Sequence, residues 1–156
     1  MFKINDYVVY KRNVCKIKEI KDNTYYVLVP IDDESLVITI PINNPNIRNI
    51  ISKEECEKLI DSIPNIEVIK VNDKLIENEY KNLLNSGKLE DLVKIIKTTY
   101  LRNLDRLSNH KKIGEKDDNY FQKSENLLYN ELSICLNLSY EETKEYVIKK
   151  VTSLEK

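Results

Sequence analysis

Four apolar runs follow one another so closely at the start of this chain that only one way of pairing them is open. They are Asp6–Tyr10 (DYVVY), Val14–Ile20 (VCKIKEI), Tyr25–Ile31 (YYVLVPI) and Leu36–Ile42 (LVITIPI); a short fifth, Ile47–Ile51 (IRNII), closes the set. The breaks between the first four are too short for the crossover helix that a parallel pair requires. The strands must therefore pair antiparallel, and five short twisted strands remove their edges by curling into a small closed barrel. A barrel of that size encloses no room for chemistry. It is expected to be a docking module.

The rest of the chain is punctuated as helix. Ser52 and Glu55 form a capping box that opens a helix running to about Ser62, before Pro64. Within the looser segment that follows, Val68–Val71 is a weak strand candidate. Asp73 is placed to cap a second helix through Leu84, which Ser86-Gly87 terminates. A third helix from Leu89 carries Leu89, Leu92, Val93, Ile96, Tyr100, Leu104 and Leu107 on one stripe at helical spacing, which predicts that this stripe is buried. Residues 108–114 form a polar loop. A fourth helix from about Lys116 to Asn137 places Tyr120, Ser124, Leu127, Leu128, Glu131, Leu132 and Cys135 near one face. Ser139 and Glu142 are a second capping box, opening a last helix to about Leu154.

Composition sets the class. With 41% hydrophobic and 33% charged residues in 156, the chain has the make-up of a soluble folded protein of one or two domains. The start, MFKIND, carries Lys3 and Asp6 and no apolar stretch, so no secretory signal is expected. The longest apolar run, Tyr25–Ile31, is far short of the ~20 residues of a membrane helix. Cys15, Cys56 and Cys135 are scattered and odd in number, which predicts reduced thiols in the cytoplasm.

Charge is distributed unevenly. Residues 88–123 carry nine basic against six acidic side chains, and between Lys94 and Lys116 seven basic side chains face only Asp105 and Glu115. Lys94, Arg102 and Arg106 fall on the arc of the third helix opposite its apolar stripe, with Lys97 at the flank. A near-neutral protein with one basic patch can approach nucleic acid locally. His110 stands alone in a polar loop without ligand partners. Capping accounts for Glu54, Glu55, Glu141 and Glu142, and there is neither a Gly-rich phosphate loop nor a nucleophile–base set. The residues predict a protein that is not an enzyme and uses no cofactor or metal.

The opening FKINDYVVYKRNVCKIKEI resembles the start of the CarD family of bacterial transcription regulators, whose pattern is F-x-x-G-D-x-V-V-Y. The likeness continues through YYVLVPI, Ile40-Pro41 and Ile47–Ser52. Further on it takes in the L-x-S-G break at Leu84–Gly87, LEDLVKIIKTTYLRN, the turn Gly114–Lys116 and LLYNEL at Leu127–Leu132. It spans roughly residues 2–136 in order. The resemblance implies an α+β chain of two domains. Residues 1–51 would be a Tudor-like five-stranded antiparallel β-barrel that docks on the β subunit of RNA polymerase. Residues 52–156 would be an all-α domain of about five helices that touches promoter DNA. The same N-terminal module occurs in transcription-repair coupling factors.

This chain departs from the family at several points. Members that stabilise open promoters wedge a tryptophan into the minor groove. An ungapped count puts Asp73 there, and the chain has no tryptophan. The basic residues that follow the wedge fall on Leu75, Ile76 and Asn78. Thr39 replaces an arginine before the Val-Pro pair, and Asn5 replaces a glycine. Lys97, Arg102, Arg106 and Lys116 keep basic character.

The leading expectation is a cytoplasmic, monomeric transcription regulator that binds no membrane and no small-molecule substrate. Polymerase would be met by strand Leu36–Pro41, through Leu36, Val37, Thr39 and Pro41, with Arg48 nearby. DNA phosphates would be met by Lys94, Lys97, Arg102, Arg106, Lys111, Lys112 and Lys116. The alternative is a polymerase-binding adaptor or competitor that does not engage DNA productively.

Overall fold

The computed structural model describes residues 1–155. All strand pairing lies within residues 7–49: β1 (Tyr7–Tyr10), β2 (Asn13–Lys21), β3 (Tyr25–Pro30), β4 (Ile38–Pro41) and β5 (Ile47–Asn49). Five α-helices follow: α1 (Lys53–Ser62), α2 (Ile76–Asn85), α3 (Leu89–Ser108), α4 (Glu115–Leu136) and α5 (Tyr140–Leu154). A single 3₁₀ turn, Ile63–Asn65, extends α1, and Pro64 inside it ends the α-helical hydrogen bonding.

Every strand pair is antiparallel, in the order β4-β3-β2-β1-β5. The expected closure does not occur. β4 and β5 do not pair with each other, so the sheet is curled but open, with a short strand at each edge. The tight connections are set by residues that accept left-handed backbone. Asp22 and Asn23 have φ of 52° and 53°, and the Thr24 N–H closes the turn on the Lys21 carbonyl at 2.9 Å. This is the two-residue geometry that matches sheet twist. Asn5 takes φ 74° at the family's glycine position, which asparagine tolerates better than most residues. A register shift between Ile17 and Glu19 breaks the alternation of the long β2 and lets the sheet bend over its core. That core is Val8, Cys15, Ile17, Tyr26, Leu28 and Ile40, with the Phe2 ring edge-on to Tyr26 at 5.9 Å. Tyr7 and Tyr25 stand at the exposed rim.

The helices enclose a second core, in which Ile60, Tyr80, Ile95, Leu128 and Leu132 are fully buried. Both capping boxes form, at Ser52/Glu55 and Ser139/Glu142. Backbone and side-chain hydrogen bonds to Ser52 and Ser139 hold both glutamates below the ordinary carboxylate range. No strand forms at Val68–Val71; the Ile69 N–H instead donates to Thr98 Oγ1 at 2.9 Å. Asp73 does not cap α2, which starts at Ile76. Asn72 Oδ1 takes the Lys74 and Leu75 N–H groups, and Arg102 takes the Asp73 carboxylate.

The stripe expected on α3 holds for its first half only. Leu92, Val93, Ile95, Thr98 and Thr99 are buried, whereas Tyr100, Leu101, Leu104 and Leu107 are exposed. Beyond Thr99 the helix meets α4 through Arg102 and Arg106, and this polar contact turns the leucines outward. No described helix is long and apolar enough to cross a membrane.

Sheet and helices are joined by a buried carboxylate. Glu131, on the inner face of α4, accepts both terminal nitrogens of Arg48 at 2.8 Å each, and the Ile51 N–H at 3.0 Å. Arg12 adds a hydrogen bond to the Asn85 side-chain oxygen at 3.0 Å.

Candidate functional site

The first candidate surface is the β4 edge. Its inner side chain, Ile40, lies in the sheet core, and Thr39 and Pro41 are exposed. Leu36 and Val37 precede the strand and are 47% and 60% exposed, which is unusual for aliphatic side chains beside an open edge. Val37 lies just outside the register, which begins at Ile38 opposite Leu28. The structure thus brings Leu36, Val37, Thr39 and Pro41 together. It does not bring Arg48 to them. That residue lies on β5, at the far end of the strand order, with its fork closed on Glu131. The ion pair holds the guanidinium above its ordinary pKa, with burial opposing.

The second candidate is the basic block. Four of its seven cations are engaged by other groups of the protein, three of them inside the fold and Lys116 on its surface. Asp117, 3% exposed at the start of α4, is the hub. It accepts the Tyr80 hydroxyl at 2.7 Å, Arg102 Nε at 2.8 Å and Arg106 Nη1 at 2.6 Å. Burial alone would raise this carboxyl, but the hydrogen bonds from Arg102, Tyr80 and Arg106 outweigh it and hold the pKa below the usual aspartate value. Burial, with the Asp117 hydrogen bond, drives the Tyr80 phenol well up. Burial disfavours the Arg102 charge, yet hydrogen bonds to Asp117 and Asp73 raise its pKa further. Gly114 caps the entry to α4; a β-carbon there would collide with the Arg106 guanidinium.

Lys97 points inward, its ammonium on the Ile63 and Ile66 carbonyls at 2.8 and 2.6 Å. Lys116 pairs with Glu77 at 2.7 Å on the surface, where solvent screens such a pair and it exchanges readily. Lys94, Lys111 and Lys112 enter no ion pair among the described residues, and the latter two are exposed. Asp73 and Lys74 are exposed just ahead of α2. Leu75 is 52% exposed, while Ile76 is in the core. His110 is exposed at φ 59°, and no cluster of three metal-ligating side chains occurs among the described residues.

Sequence reasoning missed the carboxylates Asp73, Glu77 and Asp117 as partners of these cations. The signal was thin. Only the one-turn offset of Arg102 and Arg106 hints at a shared anion, and that anion lies more than two helical turns along the chain.

Residues 2–53 match the family model described as the CarD-like/TRCF RID domain. The match spans the sheet and ends at the first residue of α1. A comparison with curated proteins finds no match. The RID domain ties the N-terminal sheet to RNA polymerase interaction and a transcription-related role. The match covers the N-terminal third of the chain, and over that stretch the chain is similar to CarD-like proteins.

Proposed function

We propose that this protein is a transcription regulator that docks on the β subunit of RNA polymerase through its β4 edge and brings its helical half against promoter DNA. The observation that carries the reading is an open edge flanked by exposed Leu36 and Val37, on the very module that matches the RID domain. Main-chain pairing at such an edge supplies affinity, and the flanking side chains supply selectivity. Lys94, Lys111 and Lys112, with Lys116 exchanging out of its surface pair, would meet phosphates without reading sequence. The protein works as a non-enzymatic, cofactor-free monomer in the cytoplasm, where polymerase is found.

Polymerase capture tests the docking. Val37→Pro lies before the first β3 pairing, so the sheet should keep its circular dichroism while an incoming strand is obstructed. Capture of polymerase from the native host is expected to be lost. Full capture by the folded variant would exclude this edge.

The adaptor reading has one specific observation in its favour: Lys97, Arg102 and Arg106 are held by the fold and contribute little to an outer field. Salt titration of duplex binding separates the two. Lys94→Gln, Lys111→Gln and Lys112→Gln together should flatten the slope of log K against log salt by about 0.9 per lost contact. An unchanged slope, with polymerase capture intact, would favour the adaptor.

A further inference from the structure

Three cations without carboxylate partners, Lys11, Arg12 and Lys123, line hollows between the sheet and the helices. A cleft of about 700 Å³ opens where the β1–β2 turn faces the α2–α3 break. Lys11, Arg12 and Arg48 line it on one side, with Asn85, Ser86 and Gly87 opposite. A second hollow of about 450 Å³ shares Arg12 and Asn85 with the first and adds Lys81, Tyr120 and Lys123. Neither is lined by a carboxylate, although the chain carries 26 Asp and Glu side chains.

Five basic side chains therefore line two joined hollows. Arg48 is neutralised by Glu131, and Lys81 faces Glu77 at 3.6 Å. Lys11, Arg12 and Lys123 enter no ion pair among the described residues; the partner of Arg12 is the neutral Asn85 amide. Like charges held together without counter-charge repel, and a bound anion relieves that repulsion. The three are also strung out along two hollows joined at Arg12 rather than converging on one point. That pattern suits a polyanion with charges repeated along its length better than a single small anion.

We propose that this cleft is a phosphate track that holds a nucleic-acid backbone, with Lys11, Arg12 and Lys123 as its cations. The track is separate from the Lys94–Lys116 block, and its assignment rests on the reading that the protein works at promoter DNA. The Asn85 side-chain NH2, whose neighbouring oxygen is held by Arg12, can donate to phosphate and sugar oxygens, as positioning contacts generally do.

The test is salt-dependent binding of labelled oligonucleotide by the full-length chain, measured with a duplex, with one of its strands, and with inorganic triphosphate as competitor. Lys11→Gln, Arg12→Gln and Lys123→Gln keep the side-chain stems and remove charge, and circular dichroism checks folding. The folded triple variant is expected to lose about 2 to 3 units of slope on duplex, or about 2 on a single strand. An unchanged slope in it, while Lys94→Gln, Lys111→Gln and Lys112→Gln lowers the slope, would overturn the track and leave the DNA reading standing. Salt-independent or absent binding by the unaltered protein would overturn both. Binding of triphosphate without either oligonucleotide would assign the cleft to a free polyphosphate and overturn the backbone assignment.

Discussion

Replacing Asp117 with alanine is expected to destabilise the fold by about 3–5 kcal/mol, because it leaves two arginines facing each other without their shared anion. It also strips the buried Tyr80 hydroxyl of its acceptor. The midpoint of urea unfolding at pH 7 reports the loss; an unchanged midpoint would exclude the hub. Asparagine there should fall between, since it can accept from Tyr80 but cannot balance the charge. The pH dependence has a definite sign. The native Asp117 carboxyl lies below its unfolded value, so its contribution is present above the ordinary aspartate range and lost as pH falls through the lowered native value. The gap between the unaltered protein and Asp117→Ala should therefore narrow in acid, and a gap that widened would contradict this assignment.

The second large effect is expected at Glu131. Its carboxylate is 2% exposed and holds Arg48 and the Ile51 N–H across a separation of about eighty residues in sequence. Glu131→Ala should cost about 1–3 kcal/mol, chiefly by leaving the Ile51 N–H without an acceptor, since the half-exposed Arg48 regains water. Arg48→Met with Glu131→Leu should recover only part of that, because apolar residues of similar size can replace the ion pair but not the acceptor of the Ile51 N–H. A double-mutant cycle with no coupling between the two positions would refute the joint. An Arg48 variant that fails to capture polymerase must therefore be checked for folding before the failure is ascribed to docking.

What could be read from the sequence is what is decided locally. Both capping boxes are four-residue patterns, and both form as read. Strand positions followed from apolar runs separated by breaks too short for a crossover, and the antiparallel order came with them. Closure did not, since it depends on whether β4 and β5 meet, and two strands of four and three residues leave the ends apart. On α3 the helical period was right but the burial of its second half was not. Tyr100, Leu104 and Leu107 share the spacing of core residues, and only the distant Asp117 decides that Arg102 and Arg106 face α4 instead. The basic block was legible as composition. That Lys97 ends on two backbone carbonyls depends on the 3₁₀ turn after α1, which no pattern near Lys97 announces.

The brevity of β4 bears on how such a module can hold a large partner. Four residues with alternating hydrogen-bonding direction offer an incoming strand only about two outward-facing residues. At roughly 1 kcal/mol net for each main-chain bond, that falls short of the ~4–15 kcal/mol lost when two bodies join. The apolar contacts of Leu36 and Val37 can narrow the deficit without removing it. A regulator built this way would reside on its target only while a second contact is made at the same time. Two grips, each weak alone, then multiply through effective concentration. Such a protein would be retained where polymerase and DNA lie within reach of one chain, and released once either is withdrawn.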